Sequence, residues 1–357
     1  MIPKNFFGTR RGIISTGVII GALAAVLQYL GNPKNMGICV ACMERDIAGA
    51  LGLHRADVVQ YIRLEIVGFV LGALLAALIF RELRFRGGSS PLVRFILGVF
   101  AMIGALVFLG CPWRALLRLA GGDGNAILGL AGLTAGVGIG VLFLKSGYNL
   151  GRSSRTSPVV GWILPVFMLF LLFLSITRPP FIFWSEKGPG SQHAPFLFSL
   201  AAGLIVGFIA QRSRFCTMGA IRDMILFRDS HLFSGIVALT VTALIINLFL
   251  GQFKAGFANQ PIAHTAHIWN FLGMVLAGLA FTLAGGCPGR QLILSGEGDG
   301  DASVFVLGMI FGAGFSHNFT LASSPKGPGP FGPIAVITGL IICLLFGFLL
   351  KTKESHH

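Results

Sequence analysis

Apolar runs of 16 to 22 residues, separated by short clusters of glycine, proline and charge, recur from one end of the chain to the other. Each run is close to the roughly 20 residues that carry a helix across a bilayer. The pattern predicts ten spans, at about 12–30, 59–80, 95–110, 125–144, 158–176, 196–211, 232–250, 268–286, 302–319 and 333–350. Between them lie four segments, 37–53, 111–124, 214–227 and 287–301, that are moderately apolar but too short or too charged to cross. Such segments read as re-entrant or broken helices, which are tolerated at membrane depth only where protein or a cavity surrounds them.

The local grammar of these segments is explicit. In GCPWRALLRLAGG, Cys111 precedes a proline at the first helical position, Arg114 to Ala120 favour helix, and Gly121 and Gly122 stop it. GGCPGRQLILSG follows the same rules. The chain also repeats. Cys39, Arg45 and Asp46 recur 177 positions on as Cys216, Arg222 and Asp223, while Cys111, Pro112 and Arg114 recur 176 positions on as Cys287, Pro288 and Arg290. Gly122, Asp123 and Gly124 recur at that same offset as Gly298, Asp299 and Gly300. Two halves, 1–176 and 177–357, therefore carry five spans each. An odd number turns the second half over relative to the first, so the expected fold is an all-α integral membrane protein of two inverted five-span repeats with re-entrant short helices.

Composition agrees. Hydrophobic residues make up 54% of the chain and charged ones 11%, against about 25% charge in soluble domains. A net charge of +14 would suggest nucleic acid in a soluble protein. Here the basic residues lie between apolar runs and act as topology signals, so no nucleic-acid partner is expected. With the N-terminus placed inside, 15 lysines and arginines fall in the cytoplasmic segments and 7 outside. This predicts a multi-pass protein of the plasma (inner) membrane with both termini cytoplasmic. His356 and His357 read as a tag remnant and are set aside.

The chemistry concentrates in the four short segments. A half-helix that begins inside the membrane points unpaired N–H groups and its positive dipole end at whatever precedes it, an arrangement suited to an anion. Cys111 and Cys287 stand at two such starts, with Arg114 and Arg290 within one turn; Cys39 and Cys216 open the other two. A thiol is a weak donor with a soft, polarisable sulfur, so it contacts a large soft anion without trapping it. Passage needs weak, serial sites of that kind. The adjacent Arg45/Asp46 and Arg222/Asp223 read as structural ion pairs that pin the short helices across the two halves. Asp123 and Asp299 read as turn or capping residues, Arg63 and Glu65 as charges near a helix end that snorkel, and His264 and His267 as loop residues at the membrane edge. Cys343 reads as a buried apolar side chain. Cys42 completes a CxxC with Cys39, but no second clustered pair exists for zinc, and the second repeat has Gly219 in its place. Neither a nucleotide phosphate loop nor a hydrolase motif appears, and no cofactor, metal or catalytic residue is expected.

These residues resemble the YeeE/YedE family of sulfur-transport membrane proteins. CVACMERD, GCPWRALL, RFCTMGAIRD and GGCPGRQL look most like its YedE branch, whose members are described as selenium transporters. The resemblance implies an hourglass of two inverted halves, passage of a small selenium- or sulfur-bearing ion such as thiosulfate along Cys39, Cys111, Cys216 and Cys287, and a small cytoplasmic sulfurtransferase of the TusA type as partner. Two other readings stand beside the permease: an intramembrane thiol–disulfide oxidoreductase using Cys39 and Cys42, and a scaffold that docks a sulfurtransferase on its basic cytoplasmic loops.

Overall fold

The computed structural model describes residues 6–351; Lys4, Lys353, His356 and His357 lie outside the described residues. The chain is built from fourteen α-helices among those residues: α1 (Arg10–Tyr29), α2 (Val40–Ala50), α3 (Leu64–Ile79), α4 (Pro91–Phe108), α5 (Pro112–Ala120), α6 (Asn125–Lys145), α7 (Pro158–Thr177), α8 (Phe196–Ser213), α9 (Thr217–Phe227), α10 (His231–Phe249), α11 (His267–Ala284), α12 (Pro288–Gly296), α13 (Gly300–Asn318) and α14 (Gly332–Leu349). Besides helices there is a two-residue antiparallel ladder, Arg86–Gly87 against Ser154–Arg155.

Ten helices have 16 residues or more, and each coincides with one predicted apolar run. Four have 9 to 11 residues, and these are the four segments that read as too short to cross. Eight helical stretches are long and apolar enough to span a membrane, so the protein is a multi-pass, all-helical membrane protein. The two long helices outside that set differ for visible reasons. Helix α3 is only 16 residues long, because residues 59–63 are not helical and Arg63 forms its N-cap. Helix α13 carries Asp301, Ser303, Ser316 and His317 along its length.

Burial of apolar surface cannot drive helix association within lipid, so close backbone approach through small residues does. Gly17 and Gly21 of α1 face α10, where a Cβ would run into the carbonyls of Gly235 and Leu239. Gly68 and Gly72 of α3 meet α8 in the same way, against Gly203 and Leu204. Helix α4 packs on α13 and α6 on α11. Taken as two sets of seven, α1–α7 and α8–α14, the long and short helices follow one order; α2, α5 and α12 are largely buried, while α9 is buried only over its first turn, Thr217 to Ala220.

Candidate functional site: four cysteine-capped helices between two basic vestibules

Each short helix begins at a cysteine. Cys39, Cys111, Cys216 and Cys287 are the N-caps of α2, α5, α9 and α12, all with extended backbone. The Cys39 sulfur accepts from the Cys42 amide at 3.4 Å and the Cys216 sulfur from the Gly219 amide at 3.3 Å. Pro112 and Pro288 occupy the first helical positions of α5 and α12, where the missing N–H costs nothing. The thiols then pair across helices: Cys39 neighbours Cys111, and Cys216 neighbours Cys287. Four helix N-termini thus converge in two pairs, and their unpaired amides and dipoles favour negative charge.

Between the pairs stands Trp113, 1% exposed. Its ring lies edge-on to Phe215, the residue before Cys216, with centroids 5.9 Å apart, and tilts against Phe69 at 5.7 Å. All six cysteines are free thiols, and Cys343 is buried in α14 away from this constellation. No group of three or more metal-ligating side chains occurs among the described residues.

Two cavities open at opposite ends of α3, whose 16 residues span about 24 Å. The first, about 720 Å³, is lined by Lys34, Arg45 and His317 together with Leu109 and Ile262. The second, about 460 Å³, is lined by Arg86, Arg214, Arg222 and Arg290 and reaches Cys216. Neither lining contains a carboxylate. The acids stand behind: Glu297 pairs with both Arg290 (3.2 Å) and Arg214 (3.0 Å), Asp223 with Arg222 (2.8 Å) and Asp299 with Arg86 (2.7 Å).

Arg114 and Arg290, equivalent in sequence, have different surroundings. Arg290 has its carboxylate. Arg114 is fully buried and spends its guanidinium on the carbonyls of Asn35 (3.1 Å), Leu109 (2.5 Å) and Ile262 (3.1 Å) and on the Cys42 sulfur (3.2 Å). None of these is an anion.

Three expectations are corrected. The ion pairs of the short helices are local and do not join the two halves: Arg45 binds the neighbouring Asp46 at 2.7 Å, Asp46 also binds Arg63 at 2.7 Å, and Arg222 binds Asp223. Adjacent arginine and aspartate side chains close on each other, and Asp46 reaches only as far as Arg63 at the start of α3, within the same half. Arg63 and Glu65 do not snorkel. Arg63 donates to the Pro189 and Gln192 carbonyls as well as to Asp46, and Glu65 accepts from Asn32 at 2.7 Å through Oε1 while its Oε2 is buried without a hydrogen bond, so both side chains are held inside the protein. His264 is buried rather than at an edge: its Nδ1 accepts from the Ala266 amide, which leaves Nε2 to donate to the Val107 carbonyl at 2.8 Å. His267 opens α11.

Asp123 and Asp299 hold turns, as read. Asp123 accepts from the Asn125 amide and Asp299 from the Ala302 amide. Two residues went unmarked in the sequence. Arg118 is buried against Asp123 at 2.7 Å. Glu44 is buried with neither carboxyl oxygen hydrogen-bonded. The one available signal was asymmetry, since 176 or 177 positions on, these residues become Leu294 and Ile221.

Comparison with known proteins finds a likeness over part of the chain. The profile described as "Sulphur transport" matches residues 212–346, a stretch that holds Cys216, Arg222, Cys287 and Arg290. Two proteins named thiosulfate transporter TsuA align with part of the chain. That of Spirochaeta thermophila is 33% identical over 99 residues, 28% of this chain and 29% of its own length. That of Escherichia coli K12 is 30% identical over 103 residues, 29% of this chain and 28% of its own. The matched residues 212–346 are under half of the chain, and over them it is similar to the sulphur-transport family. The matched segment covers under a third of the length of these relatives. The profile takes in the α9/α12 thiol pair, while Cys39, Cys42 and Cys111 lie outside the matched range.

Proposed function

We propose that the protein is a permease for a small sulfur- or selenium-bearing anion of the thiosulfate type, passed along Cys39, Cys111, Cys216 and Cys287. One observation carries this reading: two cavities with basic and no acidic lining flank four helix N-termini, each capped by a thiol. Arginine side chains turned into the cavities offer donors to an anion, with their paired carboxylates outside the linings. Converging helix dipoles favour the charge, and S–H donors release it again because they bind weakly. Cys42 is a further pathway thiol, held beside Cys111's helix by Arg114.

The architecture we propose is an inverted repeat of 1–176 and 177–357 in the plasma membrane, both termini cytoplasmic. Its support is the shared helix order of the two sets and their reciprocal packing, α1 on α10 with α3 on α8, and α4 on α13 with α6 on α11. In that orientation the four-arginine cavity faces the cytoplasm, where a sulfurtransferase of the TusA type would collect the cargo.

The test is uptake into reconstituted vesicles, with labelled thiosulfate competed by selenite, selenide and sulfate. Cys111→Ala and Cys287→Ala, made singly, are expected to abolish uptake while the protein remains folded; normal uptake by both sinks the thiol route. A second reading, thiol–disulfide exchange at Cys39 and Cys42, is favoured by the contact between the Cys39 sulfur and the Cys42 amide. It requires a reversible Cys39–Cys42 disulfide, which alkylation and mass spectrometry detect.

A further inference from the structure

The floor of the first cavity is closed in an unusual way. Cys39, Cys42 and Cys111 are wholly buried, whereas Cys216 lines the opposite cavity. Leu109 and Ile262 lie between the first cavity and the thiols, and both have left-handed backbone, φ +63° and +49°. For Leu109 this is an ordinary helix C-cap, with its amide bonded to the Ala105 carbonyl. For Ile262 it is a genuine outlier, because a β-branched side chain clashes with its own backbone there. Strain of that kind persists only where the surroundings enforce it. Against it lies Arg114, whose guanidinium holds the Leu109 and Ile262 carbonyls at once.

Arg114 is itself poorly matched. A buried guanidinium with no carboxylate is an uncompensated charge, and carbonyls and a thiol are weak substitutes. A compact anion of two or more oxygens accepts bidentate bonds from the same fork. We propose that Arg114 is an anion-responsive latch on an outer gate formed by Leu109 and Ile262. An anion descending from the first cavity takes over the guanidinium, the Ile262 carbonyl is released, its backbone relaxes out of the left-handed region, and the way to Cys39 and Cys111 opens. The second end has no such latch: Arg290 binds Glu297, and the position 176 residues after Leu109 is Gly285, φ +88°, which lines the open cavity. The inference rests on the anion-permease reading and adds the residue that recognises the anion and couples it to opening.

Hydrogen–deuterium exchange of the 258–266 loop tests it, on full-length protein in nanodiscs with thiosulfate, sulfate or chloride. In the native protein thiosulfate is expected to speed exchange of this loop about tenfold and chloride to leave it unchanged, since bonds from a charged donor are exchanged for bonds to the anion. Arg114→Gln is expected to exchange fast with or without anion. Because that variant removes a buried charge and its folding can suffer, Ile262→Asn serves as the second. Asparagine tolerates the left-handed region, so the latched loop should exchange about fivefold more slowly than native and respond less to thiosulfate. A native loop indifferent to thiosulfate, or an Ile262→Asn loop that matches native, overturns the latch. Uptake into vesicles separates the two proposals: uptake with an indifferent loop removes the latch alone, and a responsive loop without uptake removes the permease reading alone.

Discussion

Trp113 fills the space in front of Gly289, 176 positions further along the chain. A Cβ built on Gly289 would come within 2.7 Å of the Trp113 ring at Cζ2 and 3.0 Å at Cε2. The two residues hold equivalent places two positions after Cys111 and Cys287, so one half supplies a ring and the other makes room for it. The ring is buried and walled by Phe69 and Phe215, and cannot step aside. Gly289→Ala is therefore expected to destabilise the protein by about 1–3 kcal/mol through overpacking, read as a lowered melting temperature in detergent. Combined with Trp113→Leu, which frees the space, Gly289→Ala should cost much less than it does alone. Equal costs in both backgrounds would show that the contact does not limit packing there.

Glu44 makes a different prediction. Its carboxyl is buried with both oxygens unpartnered, and an unsatisfied buried polar group costs about 1–3 kcal/mol. Glu44→Met, similar in size and apolar, is expected to raise stability by that order, seen as a higher melting temperature. A fall in stability would mean that the carboxyl has a partner that the free chain lacks, and loss of uptake with stability raised would place Glu44 in transport.

The ten long helices, the four short ones and the cysteine at each short helix's start were legible because each rests on a local rule: run length, proline at the first turn, glycine at the last. The partners of the charges were not. Whether Arg45 reaches Asp46 or another half, and whether Arg63 finds water or the Pro189 carbonyl, depends on which loops fold over it. The unequal environments of Arg114 and Arg290 were equally hidden. Both follow CP within one turn, and only the packed structure places Glu297 beside one and bare carbonyls beside the other.

The two Gly-Asp-Gly turns should differ sharply in their tolerance of amide substitution. Asp123 pairs with Arg118, both fully buried, and Arg118 also lies over the Phe108 ring at 4.2 Å. Asp123→Asn leaves that guanidinium without its counter-charge and is expected to cost about 3–5 kcal/mol. At Asp299 the partner Arg86 is 38% exposed, and asparagine caps a helix as well as aspartate. Asp299→Asn should therefore cost no more than about 1 kcal/mol. Parallel thermal denaturation of the two variants checks the ranking; similar losses would refute it.

Acid should loosen the four-arginine end through Glu82, which sits in the loop after α3 and binds Arg212 at 2.9 Å and Arg214 at 3.1 Å. Burial raises its carboxyl, but hydrogen bonds from Arg212 and Gln211 and the two arginine charges outweigh that and hold it below the ordinary value of about 4.5. A carboxylate that is more acidic folded than unfolded binds protons more readily in the unfolded chain. Its stabilisation is thus complete above the unfolded value and is lost as pH falls through the lower, folded one. The half-open position of the group keeps the effect small. Glu82→Gln should lower stability at neutral pH and flatten its decline between about pH 5 and 3, measured as melting temperature against pH. A native-like slope in the variant would assign the acid sensitivity to other carboxylates.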